Sequence, residues 1–591
     1  MLDKSTANKQ IMTRRTFVIQ AGSLGLLFVL ASRMFYMQFI KKDDYKTLSD
    51  KNSIKMILIP PKRGEIFDVN NKIIAKNNSC FKLFLDKNGN PNFSLEIDLI
   101  IKILELDSDQ IKEVQKRVRN GGVRVPAIIA DYLDWKQISI IEERRSELKS
   151  VFIDAGFTRY YPMDTSMSHL LGYMGRSREE ANSPNTIDMN FKVGKTGIER
   201  YYETELKGEF NYKRIEVNAY GKYVRELAPS INTPGKNLYI NIDSDLQKQT
   251  SSYLAPNGCS SIVMDCTNGN LLICNSMPTF DPNQFVHLSA KYWNSLINNP
   301  YKPLIDKTIK SLYPPGSIFK IITALAALEE GIKPETKILC TGKAVLGGNK
   351  FRCAKRSGHG YLNMVDAIKY SCNTYIYSIA QQIGPYKIIE VAKKFGLGKL
   401  TNIDLPGELA GFVPSPEWKK KKHNSKWQLG DTLNLSIGQG FLLTTPIQLT
   451  RMIAAIASDG KLFTPQIAQL PPSYTRIDIQ QKNIDIIKTA LYHAINSSGG
   501  TGYRSRINYN SIKMSGKTGT SQVRGKKNTD DNLNSLNISW LNRNHAIFSG
   551  YAPSDKPKFA ITVYYDHGGG GGTSAAPIAK KIMTDVLKKY L

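Results

Sequence analysis

The longest uncharged apolar stretch lies near the start of the chain. TFVIQAGSLGLLFVLAS, Thr16 to Ser32, carries no charge, and after Arg33 the apolar character resumes through MFYMQFI to Ile40. A bilayer-spanning helix needs about 20 residues, so Thr16–Ile40 is long enough to cross. From Lys41 to about residue 235 charges are frequent and no long apolar periodicity appears. Within that region PPKRGEIFDVNNKIIAKN reads as a Pro-Pro breaker, a short strand, a turn at Asn70-Asn71 and a second strand. VGKTGIERYYETELKG predicts an acidic and aromatic helix stopped by Gly208. INTPGKN reads as a linker broken at Pro234-Gly235.

The pattern changes from Lys236 onward. NLYINIDSDLQKQTSSYLA begins as a strand and becomes helical after Asp243. SSIVMDCTNGNLLICNSMP predicts a hairpin around Thr267-Asn268-Gly269. SIFKIITALAALEEG predicts a buried helix closing at Gly331. SIKMSGKTGTSQV, HAIFSGYAP and KFAITVYYDHG read as strands, followed by a helix in AAPIAKKIMTDVLKKYL. A hairpin, a helical middle and terminal strands before a helix imply an α/β domain built on an antiparallel sheet. Val523–Asn544 reads as a long, mobile polar loop between two of the strands.

Length alone makes two or more domains the expectation for 591 residues. With 41% hydrophobic and 22% charged residues the balance is globular. The net charge of +29 is spread over scattered lysines, and the sequence shows no zinc-finger pair, RNA-binding signature or long basic run to indicate nucleic acid. Lys4, Lys9, Arg14 and Arg15 precede the apolar span. That places the N-terminus in the cytoplasm and everything after Lys41 outside. A cleaved signal ending before Ser32, or a twin-arginine signal in TRRTFV, is the competing reading. The apolar run outlasts a signal core, which favours an uncleaved anchor.

GKTG occurs twice, at Gly194–Gly197 and Gly516–Gly519. A phosphate-binding loop needs a glycine five positions earlier; Met189 and Ser511 stand there, so neither copy is one. In YPPGSIFK, Ser317 and Lys320 are three apart, within reach on one helical face. A serine hydroxyl needs a base, and a lysine serves if burial and nearby positive charge lower its pKa. Ser371-Cys372-Asn373 supplies a Ser-x-Asn triplet at the start of a helical run, and Lys517-Thr518-Gly519-Thr520 lies on a predicted strand. Each triplet is common. All three in this order form the active-site set of penicillin-interacting serine acyltransferases.

The chain resembles the class B penicillin-binding proteins over nearly its whole length. RGEIFD (Arg63–Asp68) and GKTGIERYYETELKG are similar to boxes of the family's pedestal, and LSIGQGFLLTTPIQL to one of its transpeptidase domain. DHGGGGGTSAAP and SCNTYIY resemble the elongation branch more than the division branch. The resemblance implies a cytoplasmic tail at 1–15, an inner-membrane anchor at 16–40, an α+β dimerisation or pedestal domain at 41–235 and a periplasmic α/β transpeptidase domain at 236–591. It implies that Ser317 attacks the penultimate D-alanine of a peptidoglycan stem peptide and Lys320 takes its proton. Ser371 relays a proton to the leaving D-alanine. Asn373 orients the lysine and the substrate amide. Lys517 and Thr518, followed by Gly519, hold the substrate carboxylate, and the N–H groups of Ser317 and Thr520 form the oxyanion hole. β-Lactams acylate the same serine. A SEDS-family glycosyltransferase and an elongation-complex scaffold are the implied partners, since the chain carries no glycosyltransferase domain. The first GKTG is expected to be a turn into a pedestal helix.

Cys340, Cys353, His359 and Cys372 fall in one window, in the order Cys, Cys, His, Cys. Three thiolates and an imidazole complete a tetrahedral zinc set. Elongation-type relatives resemble this, some having a zinc site near the Ser-x-Asn motif. A Cys340–Cys353 disulfide and a merely buried Cys372 are the alternatives. Cys80, Cys259, Cys266 and Cys274 lack such an arrangement, and the last three read as core on the hairpin. His493, His545 and His567 have no nameable partner, and His567 reads as structural or rim-lining. A division-type transpeptidase, a D,D-carboxypeptidase, a β-lactamase and a β-lactam sensor are the rival functions. The pedestal boxes argue against the hydrolases. The single span, with no cytoplasmic effector domain, argues against the sensor.

Overall fold

The computed structural model describes residues 14–42, 54–59, 61–85, 93–120, 127–176, 192–209, 211–217, 223–228, 233–286, 288–523 and 539–591. The tail before Arg14 and most of the Val523–Asn544 loop lie outside the described residues. Arg14–Phe35 is an α-helix that passes into a π-helical turn at Tyr36–Ile40. Phe17–Ile40 is long and apolar enough to cross a membrane, and its side chains are exposed on every side. Backbone groups satisfied within the helix and apolar groups all round are what a bilayer requires.

After the span comes an α+β region. The long strand Ile73–Leu85 pairs with Ala127–Leu133 and Val151–Tyr160. The helices Phe93–Ile103, Ser108–Asn120 and Trp135–Glu143 close over it, through Ile97, Ile100, Val114, Val118 and Ile141 against Leu83, Leu85 and Ile129. The two pedestal boxes meet at a buried charge cluster. Glu199, fully buried, accepts from Arg63 Nε and Arg159 Nε at 2.6 Å each, and Arg63 also reaches Glu203 at 2.7 Å. Burial pushes the Glu199 carboxyl up, but Arg159 and Arg63 more than reverse this, leaving it below its ordinary value.

Two expectations need correction. The helix predicted after the first GKTG is two short helices, Gly197–Tyr201 and Glu203–Lys207, broken at Tyr202. The break coincides with a long-range tie, because the Tyr202 hydroxyl donates to Asp404 Oδ2 at 2.7 Å. The Pro234-Gly235 segment is clamped rather than a loose linker. Gly235 N–H donates to Lys62 O and Lys236 N–H to Glu205 O, and a Cβ on Gly235 would lie 1.8 Å from Leu206 O. Leu238–Tyr239 then pairs in parallel with Ile66–Phe67, so the chain enters its second half as a strand of the pedestal sheet. Asp68 completes the join by accepting from Ser244 Oγ at 2.6 Å, at the start of the helix Ser244–Ser251.

The second half is built on a five-stranded antiparallel sheet in the order Leu271–Met277, Cys259–Asp265, Phe559–Tyr565, His545–Ala552, Ser515–Ser521. Alternate residues serve two cores. Ile262, Met264, Ile547, Ala560 and Tyr564 face the helices Lys320–Glu329 and Pro446–Ala457. Val263, Phe548, Ile561 and Val563 face Ala576–Tyr590. This two-residue alternation explains why the strands read as continuous apolar runs. Cys259, Cys266 and Cys274 are buried here, and all seven cysteines are free thiols. The strand Ser515–Ser521 forms the sheet edge, with His545–Ala552 on one side and its other side open to the helical middle.

Candidate active site

The nucleophile turn is held by glycine. Gly316 sits at φ +55°, and a Cβ there would lie 2.6 Å from Thr520 O. Its N–H donates to Gly438 O, and Gln439 Nε2 donates to Thr520 O at 3.2 Å. Gly519 is needed for the same approach, since its Cβ would lie 3.0 Å from Ile318 Cγ1 and 3.2 Å from Pro315 O. These contacts bring the backbones of Ser317 and Thr520 together at the sheet edge. The helix begins later than expected. Gly316–Ile318 is a 3₁₀ turn, and α-geometry starts at Lys320. Ser317 is half-buried at that turn.

Lys320 is fully buried. Its Nζ donates to Ser371 O at 2.7 Å, to Ser371 Oγ at 3.1 Å and to Asn373 Oδ1. Burial pushes its pKa down to about 8, against an upward pull from Cys353 and Cys372. Positive charge was expected to help lower this value; instead that effect falls on Lys517. Lys517 is also fully buried, and burial and then the charge of Lys320 push it well below the ordinary lysine range. Its Nζ donates to Thr518 O at 3.1 Å. It has no carboxylate partner among the described residues, so its amine is available to an incoming anion.

Ser371 and Asn373 come from a helix–helix corner. The helix Met364–Lys369 ends in a Schellman turn: Ser371 N–H donates to Ile368 O and Cys372 N–H to Ala367 O. Ser371 takes the left-handed position at φ +57°, where glycine is usual. The helix Asn373–Lys394 starts at once, with Cys372 as its N-cap accepting from Tyr375 N–H. The Asn373 amide Nδ2 donates one N–H to Arg352 O at 3.0 Å, which leaves its second N–H for a substrate amide.

Cys340, Cys353, His359 and Cys372 converge beside this corner. One donor atom from each lies within 4.8 Å of the others. His359 Nδ1 is 3.5 Å from Cys340 Sγ and 3.6 Å from Cys353 Sγ, and Cys353 Sγ is 3.8 Å from Cys372 Sγ. Asn373 N–H donates to Cys353 Sγ and Tyr375 N–H to Cys372 Sγ. The contact between the two thiols pushes Cys353 down and Cys372 up. The four sequence-predicted ligands are thus neighbours of the catalytic candidates Ser371 and Asn373.

Several groups escaped the sequence reading. Thr501 Oγ1 accepts from Thr518 Oγ1 at 2.8 Å. Only the glycine-rich turn around it, Gly499-Gly500-Thr501-Gly502, could have hinted at this. A Cβ on Gly571 would lie 2.2 Å from Gly519 O, so the glycine run after His567 packs onto the Lys-Thr-Gly strand. The histidines do have partners. His567 N–H donates to His545 Nδ1, and His493 Nδ1 pairs with Ser497 Oγ. The first GKTG lies in the pedestal with its Lys195 N–H on Tyr173 O. The basic run Lys419–Lys422, on the helix Pro416–His423, corrects the expectation that no such run exists.

Residues 259–584 match the family described as penicillin binding protein transpeptidase domain, and residues 58–240 the penicillin-binding protein dimerisation domain. The chain is 32% identical to the peptidoglycan D,D-transpeptidase MrdA of Haemophilus influenzae, over 99% of this chain and 93% of that one. Among solved structures it is similar to penicillin-binding protein 2 of Helicobacter pylori in complex with MreC. The TM-score is 0.81 at 30% identity, covering 91% of this chain and 99% of that chain. A chain from a structure on coordination of polymerization and crosslinking by a peptidoglycan synthase complex is 25% identical, with a TM-score of 0.69, covering 97% of this chain and 98% of that one.

Proposed function

We propose that Ser317 is the nucleophile of this chain, which belongs to the penicillin-binding protein transpeptidase family and is a peptidoglycan D,D-transpeptidase, a serine acyltransferase of the penicillin-binding protein 2 kind. The observation that carries the assignment is the buried Lys320 amine, one turn from Ser317 and shared between Ser371 and Asn373. A lysine lowered to about 8 is neutral often enough near pH 7 to act as a base. Lys320 takes the Ser317 proton as Oγ attacks the carbonyl of the penultimate D-alanine. The oxyanion forms against the N–H groups of Ser317 and Thr520. Lys517, Thr518 and Thr501 receive the terminal carboxylate, whose negative charge favours the protonated form of Lys517. Ser371 passes the proton to the departing D-alanine nitrogen as its C–N bond breaks. The amine of a second stem peptide then attacks the ester carbon, and the proton it loses returns Ser317 to the hydroxyl form. A β-lactam acylates the same oxygen, with its ring C–N bond taking the place of the peptide bond.

The Cys340, Cys353, His359 and Cys372 set suits structural zinc. Zn–S and Zn–N bonds of about 2.3 and 2.0 Å place tetrahedral ligand atoms roughly 3.5–3.8 Å apart; three of the separations, 3.5, 3.6 and 3.8 Å, match, and all lie within 4.8 Å. When bound, the ion would supply charge compensation and a brace for the turn that carries Ser371 and Asn373, taking no part in acyl transfer.

Cell-wall elongation, a periplasmic position for the residues after the span, and partnership with a SEDS-family polymerase and an elongation scaffold extend the same reading. They draw support from the N-terminal span and from the MreC and synthase-complex relatives. The test uses the full chain in detergent with a fluorescent penicillin. Wild type becomes covalently labelled and Ser317→Ala does not; equal labelling of the two would refute the assignment. In cells, inhibition leads to rounding, whereas filamentation would assign the chain to division.

A further inference from the structure

Beside the nucleophile turn stands a cationic, aromatic face that acyl transfer does not use. The helix Pro416–His423 reads PEWKKKKH and contains no buried residue. Lys419 is taken by Asp431, and Glu417 by the Tyr386 hydroxyl. Lys420, Lys421, Lys422 and, just beyond, Lys426 are exposed and have no carboxylate partner among the described residues. Trp418 lies 4.7 Å from Phe412 and 5.1 Å from Phe441, ring to ring, and the exposed His423 stacks on Phe441 at 5.1 Å. Phe441 is 39% exposed. It follows Gly438-Gln439-Gly440, the segment that holds both Gly316 and Thr520. The face therefore starts three residues from the Gly438 backbone that holds the nucleophile turn and two from the Gln439 side chain that holds the Lys-Thr-Gly strand.

A solvated lysine run needs no exposed rings beside it, and a ring cluster serving only the core would not leave Phe441 and His423 in solvent. Adjacent like charges repel, and an anionic partner relieves that repulsion. We propose that Lys420, Lys421 and Lys422, with Phe441 and His423, form a subsite for a peptidoglycan strand next to the catalytic serine. The lysines pair with the free carboxylates of stem peptides, and the electron-rich ring faces take the C–H faces of the sugars. The inference rests on the transpeptidase reading, because that reading makes this anionic polymer the one that must pass Ser317.

The experiment uses the full chain in nanodiscs of neutral lipid, sedimented with purified insoluble peptidoglycan at low and high salt. The triple variant K420A/K421A/K422A should lose roughly threefold or more of the bound fraction at low salt. The difference should vanish at high salt, and the triple lysine-to-arginine variant should bind like wild type. Fluorescent penicillin reports on Ser317 separately. Absence of labelling in wild type counts against the transpeptidase reading. Intact labelling with unchanged sedimentation of the alanine variant overturns the subsite. So does an alanine variant that loses binding to anionic phosphatidylglycerol vesicles while still sedimenting with peptidoglycan.

Discussion

Lys320 links burial to reactivity. It must be neutral to accept the serine proton, and burial brings its pKa down to about 8. The neutral form grows as pH rises through that value, so acylation by a penicillin should climb about tenfold per unit below pH 8 and level off above it. Rate constants measured from pH 6 to 9.5 check this; a profile flat across that range contradicts the base assignment. Gly519 is the second sensitive residue. A methyl there would press on Ile318 and the Pro315 carbonyl, pushing the nucleophile turn away from Thr520. Gly519→Ala should fold and yet acylate roughly 10- to 100-fold more slowly, since small displacements of reacting groups cost that much.

The Ser-x-Asn corner shows how an element ending becomes a site. Ser371 occupies a left-handed C′ position at some conformational cost and in return points its hydroxyl at Lys320. Ser371→Gly and Ser371→Ala should both impair turnover. The glycine variant should be the more stable by about 1 kcal/mol, because only alanine keeps the strain. Thermal denaturation of the two decides, and equal stability would mean that the turn relaxes. The cysteine cluster is tested at the same scale. Protein purified without chelator should carry one zinc per chain, and stripping it should lower the melting temperature and slow acylation together. A zinc-free preparation with full activity would exclude the brace.

At the scale of the whole molecule, pedestal and catalytic half are joined by buried polar contacts. Arg63, Glu199 and Arg159 lock the two pedestal boxes, while Asp68 and Tyr202 reach Ser244 and Asp404 across the join. Removing Glu199 takes the carboxylate partner from the buried Arg159 and leaves Arg63 with Glu203 alone, so Glu199→Ala should destabilise by about 3–5 kcal/mol. Tyr202→Phe loses one hydrogen bond and should cost about 1 kcal/mol. Denaturation followed in both halves measures these effects. Unfolding of the pedestal alone in Glu199→Ala would show that the join transmits little.

The local code was legible wherever chemistry and periodicity coincide. Ser317, Lys320, Ser371, Asn373 and Lys517–Thr520 could be read from their order, and the strands from their apolar runs, because motif spacing and side-chain period are properties of the chain itself. So could the four candidate zinc ligands, whose residue types allow few other roles together. Thr501, the Gly571 packing, the Tyr202 break and the role of Gly438 were not legible, because each is defined by a partner tens or hundreds of residues away. The sequence by itself determined which groups could react. Tertiary structure decided how: it buried Lys320 and Lys517 and so lowered their pKa values, anchored the Asn373 amide on Arg352, and set an aromatic, lysine-rich face beside the serine. Desolvation and contact depend on what surrounds a residue, and only the folded chain supplies those surroundings.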